Sequence, residues 1–260
     1  MYKHEEEFLF QSLAMQKMLQ TSRPDQSLVG RNYGVLFTNL ADMAGITKSV
    51  EIGAFEAGFS MARKRKYPDL PAIAFEANPY VAEKFGPGCI AAGVDYRHRC
   101  VADKDGVLEI MIPRDFRGGA RPQVNQMSSI RGNLSTVNSE TVEVRSVVLD
   151  KAIDLKVDDT LLLWIDVEGA LDKVLPHSKK ALEQTALINI EVEARAIWDG
   201  QWLDSAVGAF LSEQGFVFVA RDMQSINQYN CIFANPAMFD LAGARSTLAN
   251  YLCGLGYWAP

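Results

Sequence analysis

The stretch that decides the fold is LLLWIDVEGA, residues 161–170. Five consecutive apolar residues followed by an acid and a glycine are typical of a strand buried on both faces, as in a parallel sheet. Residues 170–182 then have the pattern of a helix. The segment therefore predicts one strand–helix unit of an α/β domain, with Asp166 at the carboxyl end of its strand.

The same alternation of apolar runs and helical segments continues on both sides of this stretch. It predicts strands over 48–52, 72–76, 97–101, 107–112, 142–148, 187–193, 216–220 and 230–234, and helices over 58–66, 79–85 and 202–213. The last two strands are predicted to form an antiparallel pair. Continuous apolar strands alternating with helices indicate an α/β fold with a buried, mostly parallel sheet.

The chain divides into three predicted parts. Residues 1–45 form an N-terminal helical cap, with an amphipathic helix over 4–20, and residues 46–240 form the main domain. Residues 241–260 are an apolar extension that packs on the core, covers the pocket or joins two subunits of a homodimer. Within the main domain, a loop over 114–139 rich in Gly, Asn and Ser is long enough to predict a functional role.

Composition narrows the function classes. Hydrophobic residues make up 48% of the chain and charged residues 22%, as in a globular protein. The net charge of -6 disfavours nucleic acid, because an acidic surface repels phosphate backbones. The four cysteines show neither C-x-x-C nor zinc spacing, and neither a secretory signal nor a membrane-spanning run is recognisable. We therefore expect a cytoplasmic protein that acts neither on nucleic acid nor at a membrane.

Acids at strand ends predict the binding edge. Glu51, Glu76 and Asp166 each stand at or next to the carboxyl end of a predicted strand, where open parallel sheets bind their ligands. The turn after Glu51 begins with Gly53 and Ala54, which allow a ligand to approach the backbone closely. Glu76 is in the position from which a carboxylate accepts both hydroxyls of a ribose.

A dinucleotide and S-adenosylmethionine are the two ligands that this spacing allows. A dinucleotide requires G-x-G-x-x-G around its pyrophosphate, but Phe55 stands between Gly53 and Gly58 where the middle glycine is needed. The acid at Glu51 would also repel phosphate, whereas a sulfonium with an ammonium group tolerates it. The residues favour S-adenosylmethionine, and an NAD-linked oxidoreductase remains the alternative.

Five motifs in order carry a family resemblance. They are GAFEAGFS (53–60), AFEANP (74–79), VADKDGVLEIMIP (101–113), WIDVEGALDKVLP (164–176) and INIEVE (188–193). Together they resemble the motifs of FkbM-type S-adenosylmethionine-dependent methyltransferases. The resemblance implies the class I methyltransferase fold, a Rossmann-like seven-stranded sheet with one antiparallel strand. It also implies methyl transfer from S-adenosylmethionine to a hydroxyl of a sugar or small metabolite.

The resemblance also implies which residues bind the cofactor. These are Glu51, Gly53, Ala54 and Phe55 in the first turn, Glu76 and Asn78 at the ribose, Ala102 and Asp103 at the adenine, and Asp166, with Glu168 and Gly169, beneath the methyl group. Ser128 and Ser129 match a small-residue patch in the long loop. The chain departs from the family at Phe55, Ala57, Trp164 and Leu171, where Asn, Gly, Lys and an acid are usual. These departures leave a non-catalytic binding subunit, with Phe55 filling the cleft, as a further alternative.

A hydroxyl acceptor requires a base, and several residues are candidates. They are Asp166, Glu168, Glu191, Glu193 and His177. The four acids are predicted to converge at one sheet edge, where they could bind a divalent cation through oxygen or could include two that are merely solvated. We expect a site without a resident metal, and the sequence does not distinguish which acid is the base.

Overall fold

The computed structural model describes residues 26–116, 118–225 and 227–255 of the 260-residue chain as alternating strands and helices. The helices are α1 (Gln26–Met43), α2 (Gly58–Lys66), α3 (Pro79–Ala91), α4 (Leu149–Ala152), α5 (Leu171–Val174), α6 (Lys179–Glu183), α7 (Asp204–Glu213) and α8 (Arg245–Gly254). The strands are β1 (Lys48–Ile52), β2 (Ala72–Glu76), β3 (Asp95–His98), β4 (Cys100–Val101), β5 (Gly106–Pro113), β6 (Asp115–Phe116), β7 (Gly119–Ala120), β8 (Ser139–Val147), β9 (Leu161–Ile165), β10 (Thr185–Glu193), β11 (Val217–Arg221) and β12 (Gln228–Ala234). The helix predicted over 4–20 lies outside the described residues, and the three-part division of the chain stays a prediction.

The central sheet has seven strands in the order β11-β12-β10-β9-β1-β2-β3. Strands β10, β9, β1, β2 and β3 pair in parallel, and β12 is antiparallel to both β10 and β11. This arrangement confirms the predicted mostly parallel seven-stranded sheet with one antiparallel strand, the class I methyltransferase fold.

The strands at the centre of the sheet are buried on both faces. Every residue of β1, β2 and β10 is buried, as are four of the five in β9. One face of the sheet packs against α1 and α8 through Val29, Leu36 and Leu248, and the other packs against α5 and α7 through Val174 and Leu211. The sheet is thus covered by helices on both sides, as parallel sheets require.

The described part of the C-terminal extension packs on the core. Leu248, Tyr251 and Leu252 of α8 are buried in the same cluster as Val29 and Tyr33 of α1. Residues 256–260 lie outside the described part of the chain. Among the helices of the described ranges, none combines the length and the apolar character needed to cross a bilayer.

A smaller sheet, in the order β4-β8-β5, is separate from the central one. The strand predicted over 97–101 is in fact two strands. The pairing of β3 with β2 ends at His98, and the N–H of Arg99 makes one more bond, to the carbonyl of Glu76. The residues of β4 then pair with β8. The loop predicted over 114–139 is mostly irregular, with a short β6–β7 hairpin near its start.

Two helices differ from their predicted bounds. The helix predicted over 170–182 is divided into α5, a 3₁₀ helix (Leu175–His177) and α6, because Pro176 has no N–H to continue an α-helix. Conversely, α3 runs beyond the predicted residue 85 to Ala91 and contains Pro87. Its start is well defined, since the Asn78 side chain accepts from the N–H groups of Tyr80 and Val81.

Candidate active site

The turn after β1 brings two strand ends together. Gly53 has φ 79°, and a Cβ placed on it would lie 1.6 Å from the backbone oxygen of Asp166. The N–H of Asp166 donates to the carbonyl of Ile52 at 2.8 Å. A side chain at position 53 would therefore overlap the backbone of Asp166, and the lack of one allows Asp166 to lie beside the turn.

Glu76 is held at the end of β2 by backbone donors. Its carboxylate accepts from the N–H of Phe55 and from the N–H of Asn78, both at 2.7 Å. Burial raises the pKa of Glu76 to about 7, and the two N–H donors oppose that rise. Asn78 is buried as the cap of α3 and donates to Ser128 Oγ at 2.8 Å, which fastens the long loop to the same place.

A cavity of about 270 Å³ lies at the carboxyl ends of β1, β2 and β9. Gly53 and Phe55, Glu76, and Trp164 and Asp166 line it from the sheet side. The long loop closes it with Asn125, Gln126, Ser128, Ser129 and Ile130. Glu76 and Asp166, predicted to meet at one sheet edge, thus line the same cavity.

A second cavity of about 510 Å³ adjoins the first. The residues that line both are Asn125, Gln126, Asp166, Glu168, Glu191 and Gln224. The remaining wall of the second cavity is formed by Phe116, Arg121, Met127, Ser135, Arg195, Ala196, Ile197, Ser225, Asn227 and Gln228. Three acids, Asp166, Glu168 and Glu191, therefore lie at the boundary between the two cavities.

The boundary acids form a compact cluster. Asp166, Glu168 and Glu191 each offer a carboxylate oxygen within 4.8 Å of the other two. Neutral donors hold two of them: Gln228 Nε2 lies 2.7 Å from Glu191 Oε1, and Trp198 Nε1 lies 3.2 Å from Glu168 Oε2. Glu168 has φ 46°, a strained conformation for a residue with a side chain.

Burial and mutual repulsion raise the pKa values of this cluster. Burial raises the pKa of Glu191, and the charges of Asp166, Glu168 and Glu193 raise it further. Burial also raises the pKa of Asp166, but its hydrogen bond with Glu191 opposes the rise. The two carboxyl groups therefore titrate as a coupled pair, and both have pKa values raised above those of free carboxyls.

Three carboxylate oxygens are also ligands of the kind that a hard divalent cation binds. Gln228 and Trp198 each donate a hydrogen bond to one of these acids, Glu191 and Glu168 respectively. The expectation of a site without a resident metal stays a prediction.

Glu51 differs from its expected place in the cofactor site. Its buried carboxylate lies under the start of α2, where it accepts from the N–H of Ser60 at 2.8 Å, and it lines neither cavity. The side chains of Ala54 and Asn78 are buried beside the first cavity without lining it. These three residues support the cavity wall, because the turn and α3 depend on them.

Four further candidates also lie outside both cavities. Ala102 is buried, and Asp103 forms an ion pair with Lys173 at 3.2 Å. Glu193 is buried and accepts from Gln201 Nε2 at 2.8 Å. His177 is exposed in the 3₁₀ helix, because the helix break at Pro176 leaves it facing solvent. Glu193 and His177, predicted as catalytic residues, therefore line neither cavity in this structure.

Two of the residues that depart from the family motifs, Phe55 and Trp164, line the first cavity. Phe55 has φ 47°, and its ring packs against Phe85 with centroids 5.0 Å apart. Trp164 stacks on Phe59 at 5.2 Å. Because the cavity remains open beside Phe55, the cleft is not filled in the way that the non-catalytic alternative requires.

Several lining residues were not predicted. Arg121, Asn125 and Gln126 belong to the long loop, whose composition indicates a role but not which side chains face inward. Arg195 and Gln224 come from segments that follow β10 and β11, where the sequence shows no motif. The one sequence signal for Arg195 and Gln224 as lining residues is that each follows a predicted strand.

Comparison with known proteins identifies a family. The model of the methyltransferase FkbM domain matches residues 29–218. A comparison with curated protein sequences finds no significant match.

Solved structures show distant similarity. Precorrin-6y C5,15-methyltransferase from Geobacter metallireducens GS-15 is 14% identical, with 77% of this chain and 85% of that chain covered and a TM-score of 0.42. Ribosomal protein L11 methylase from Lactobacillus delbrueckii subsp. bulgaricus is 6% identical, with 79% of each chain covered and a TM-score of 0.39. TrmK from M. capricolum, in complex with S-adenosylhomocysteine, is 7% identical, with 78% of this chain and 68% of that chain covered and a TM-score of 0.40.

Proposed function

Because the chain belongs to the FkbM methyltransferase domain family, we propose that it transfers the methyl group of S-adenosylmethionine to a hydroxyl of a sugar or small metabolite. The observation that carries this proposal is the shared cavity of Glu76 and Asp166 at the carboxyl edge of the sheet. Ligands bind at this edge in open α/β sheets.

The 270 Å³ cavity is the place for the cofactor. Glu76 is its ribose-binding residue, since the N–H groups of Phe55 and Asn78 fix the carboxylate and leave it further lone pairs. Asp166 lies at the far side of the cavity, where it also reaches the second space. S-adenosylmethionine supplies an activated methyl group when bound, so the chain has to align the acceptor and remove its proton. Alignment of this kind contributes about 7–11 kcal/mol.

The acceptor occupies the 510 Å³ cavity, with Asp166 as its base. Asp166 lines both cavities; Glu168 and Glu191 line both as well, but each is held by a neutral donor, Trp198 or Gln228. A positioned base contributes about 10²–10⁴-fold to the rate. Glu168 and Glu191 lie beside Asp166 in the acid cluster.

Calorimetry with S-adenosylhomocysteine tests the cofactor site. We expect Glu76→Ala to weaken binding at least about tenfold, since a lost charge-assisted hydrogen bond costs about 1.5–3 kcal/mol. Glu109→Ala, which removes an exposed glutamate of β5, is the matched control and should bind as the wild type does. Tight binding that survives Glu76→Ala would contradict the ribose assignment.

Two further measurements cover folding and the rival ligand. Thermal unfolding of each variant shows whether Glu76→Ala remains folded, and Glu76→Gln, which keeps one acceptor oxygen, provides a milder change. Stabilisation of the wild type by NADH but not by S-adenosylhomocysteine would favour the oxidoreductase reading over ours.

We also propose that the protein works in the cytoplasm. Its four cysteines, Cys89, Cys100, Cys231 and Cys253, are free thiols, as expected in a reducing compartment. Recovery of the protein in a membrane or secreted fraction after cell fractionation would contradict this assignment.

A further inference from the structure

The second cavity carries both signs of charge. Arg121 and Arg195 line it together with the cluster of Asp166, Glu168 and Glu191. Both arginines are exposed, and neither forms an ion pair with any residue in the described ranges. Two arginines thus line the acceptor space without an ion-pair partner among the described residues.

Other arginines of the same region are paired. Arg114 forms an ion pair with Glu140 at 3.0 Å, and Arg131 forms one with Asp172 at 2.6 Å. Arg121 instead lies over the ring of Phe116, 5.6 Å from its centroid, and that ring lines the cavity too. The contact leaves the hydrogen-bond donors of Arg121 available to a ligand.

Neutralisation of the acid cluster does not account for these arginines. Among the ion pairs of the described residues, none joins Arg121 or Arg195 to Glu168 or Glu191. The donors that hold these acids are Trp198 and Gln228, which are neutral. The positive charge of the arginines therefore remains for something that enters the cavity.

The remaining wall suits a molecule rich in hydroxyls. Amides and hydroxyls from Gln126, Ser135, Ser225 and Asn227 line the same space. Groups of this type both donate and accept, as polyhydroxylated ligands require. A neutral sugar alone would leave two arginines without a partner.

Building on the proposed function, we propose that the methyl acceptor is a hydroxylated molecule with a carboxylate or phosphate group, which Arg121 and Arg195 bind while the reacting hydroxyl lies against Asp166. The planar fork of a guanidinium matches either anion. The acceptor oxygen forms a bond to the methyl carbon as the carbon–sulfur bond breaks. The electron pair of that bond stays on sulfur, which yields S-adenosylhomocysteine, and the hydroxyl proton passes to Asp166.

Calorimetry on protein saturated with S-adenosylhomocysteine tests this inference. The probes are D-glucuronate and D-glucose 6-phosphate, each compared with D-glucose. We expect at least one anionic probe to bind at least about tenfold more tightly than glucose, and the comparison of the two shows whether the group is a carboxylate or a phosphate. Equal affinity for all three, or no binding of either anion, would overturn the proposal.

Variants assign the preference to the arginines. Arg121→Gln and Arg195→Gln should each reduce the preference for the anion over glucose. Arg145→Gln, an exposed arginine of β8 outside both cavities, is the control and should keep the full preference. A preference that both cavity variants retain would also overturn the proposal. Failure of S-adenosylhomocysteine to bind would instead count against the proposed function, since it is measured first.

Discussion

At the scale of single residues, Asp166 is where the two cavities and the acid cluster meet. Asp166→Asn removes the base but keeps the shape of the side chain. We expect release of S-adenosylhomocysteine, assayed with an acceptor found among sugar acids and sugar phosphates, to fall about 10²–10⁴-fold, with cofactor binding retained. The wild-type rate should rise with pH through the raised pKa of Asp166, because only the ionised form accepts a proton. Asp158→Asn, at an exposed site, is the control. Unchanged turnover in Asp166→Asn would exclude this residue as the base.

At the scale of elements, the junction of β1 and β9 depends on a glycine. In Gly53→Ala, the new Cβ would overlap the backbone of Asp166, and the positive φ adds about 1–2 kcal/mol of strain. We expect the free energy of unfolding in urea to fall by about 2–4 kcal/mol, with loss of S-adenosylhomocysteine binding. Gly45→Ala is a matched control, since Gly45 has φ 61° but nothing within 4 Å of a Cβ. In Gly45→Ala, the free energy of unfolding should fall only by the cost of the positive φ. Equal losses in the two variants would mean that the contact with Asp166 is unimportant.

At the scale of the whole molecule, buried acids set how stability depends on pH. Burial raises the pKa values of Glu51, Glu76 and Glu193 to about 7 from 4.5. The folded chain therefore binds protons that the unfolded chain releases, and this stability, complete below about pH 4.5, is lost as the pH rises through 7. We expect thermal unfolding to occur at lower temperature at pH 8 than at pH 5.5. Glu51→Gln should reduce the slope, whereas Glu109→Gln, at an exposed site, should not. A melting temperature that rises over this range would contradict the assignment.

Much of the architecture follows from local sequence. Strand β9 was predictable because a strand buried on both faces must be apolar on both, and this produces the uninterrupted apolar run of residues 161–165. Parallel strands then bring their carboxyl ends to one edge, so Glu76 and Asp166 could be expected to share a cavity there. The sequence by itself thus determined the sheet, its binding edge and, through the ordered motifs, the family.

Only the tertiary structure decided which side chains face the ligand space. Glu51 is turned under α2 by the N–H of Ser60, and His177 is left in solvent by the helix break at Pro176. Arg121 and Arg195 line the same cavity although they are far apart along the chain. The physical reason is that periodicity reports which element a residue belongs to, whereas its direction beyond the end of that element depends on contacts between distant segments.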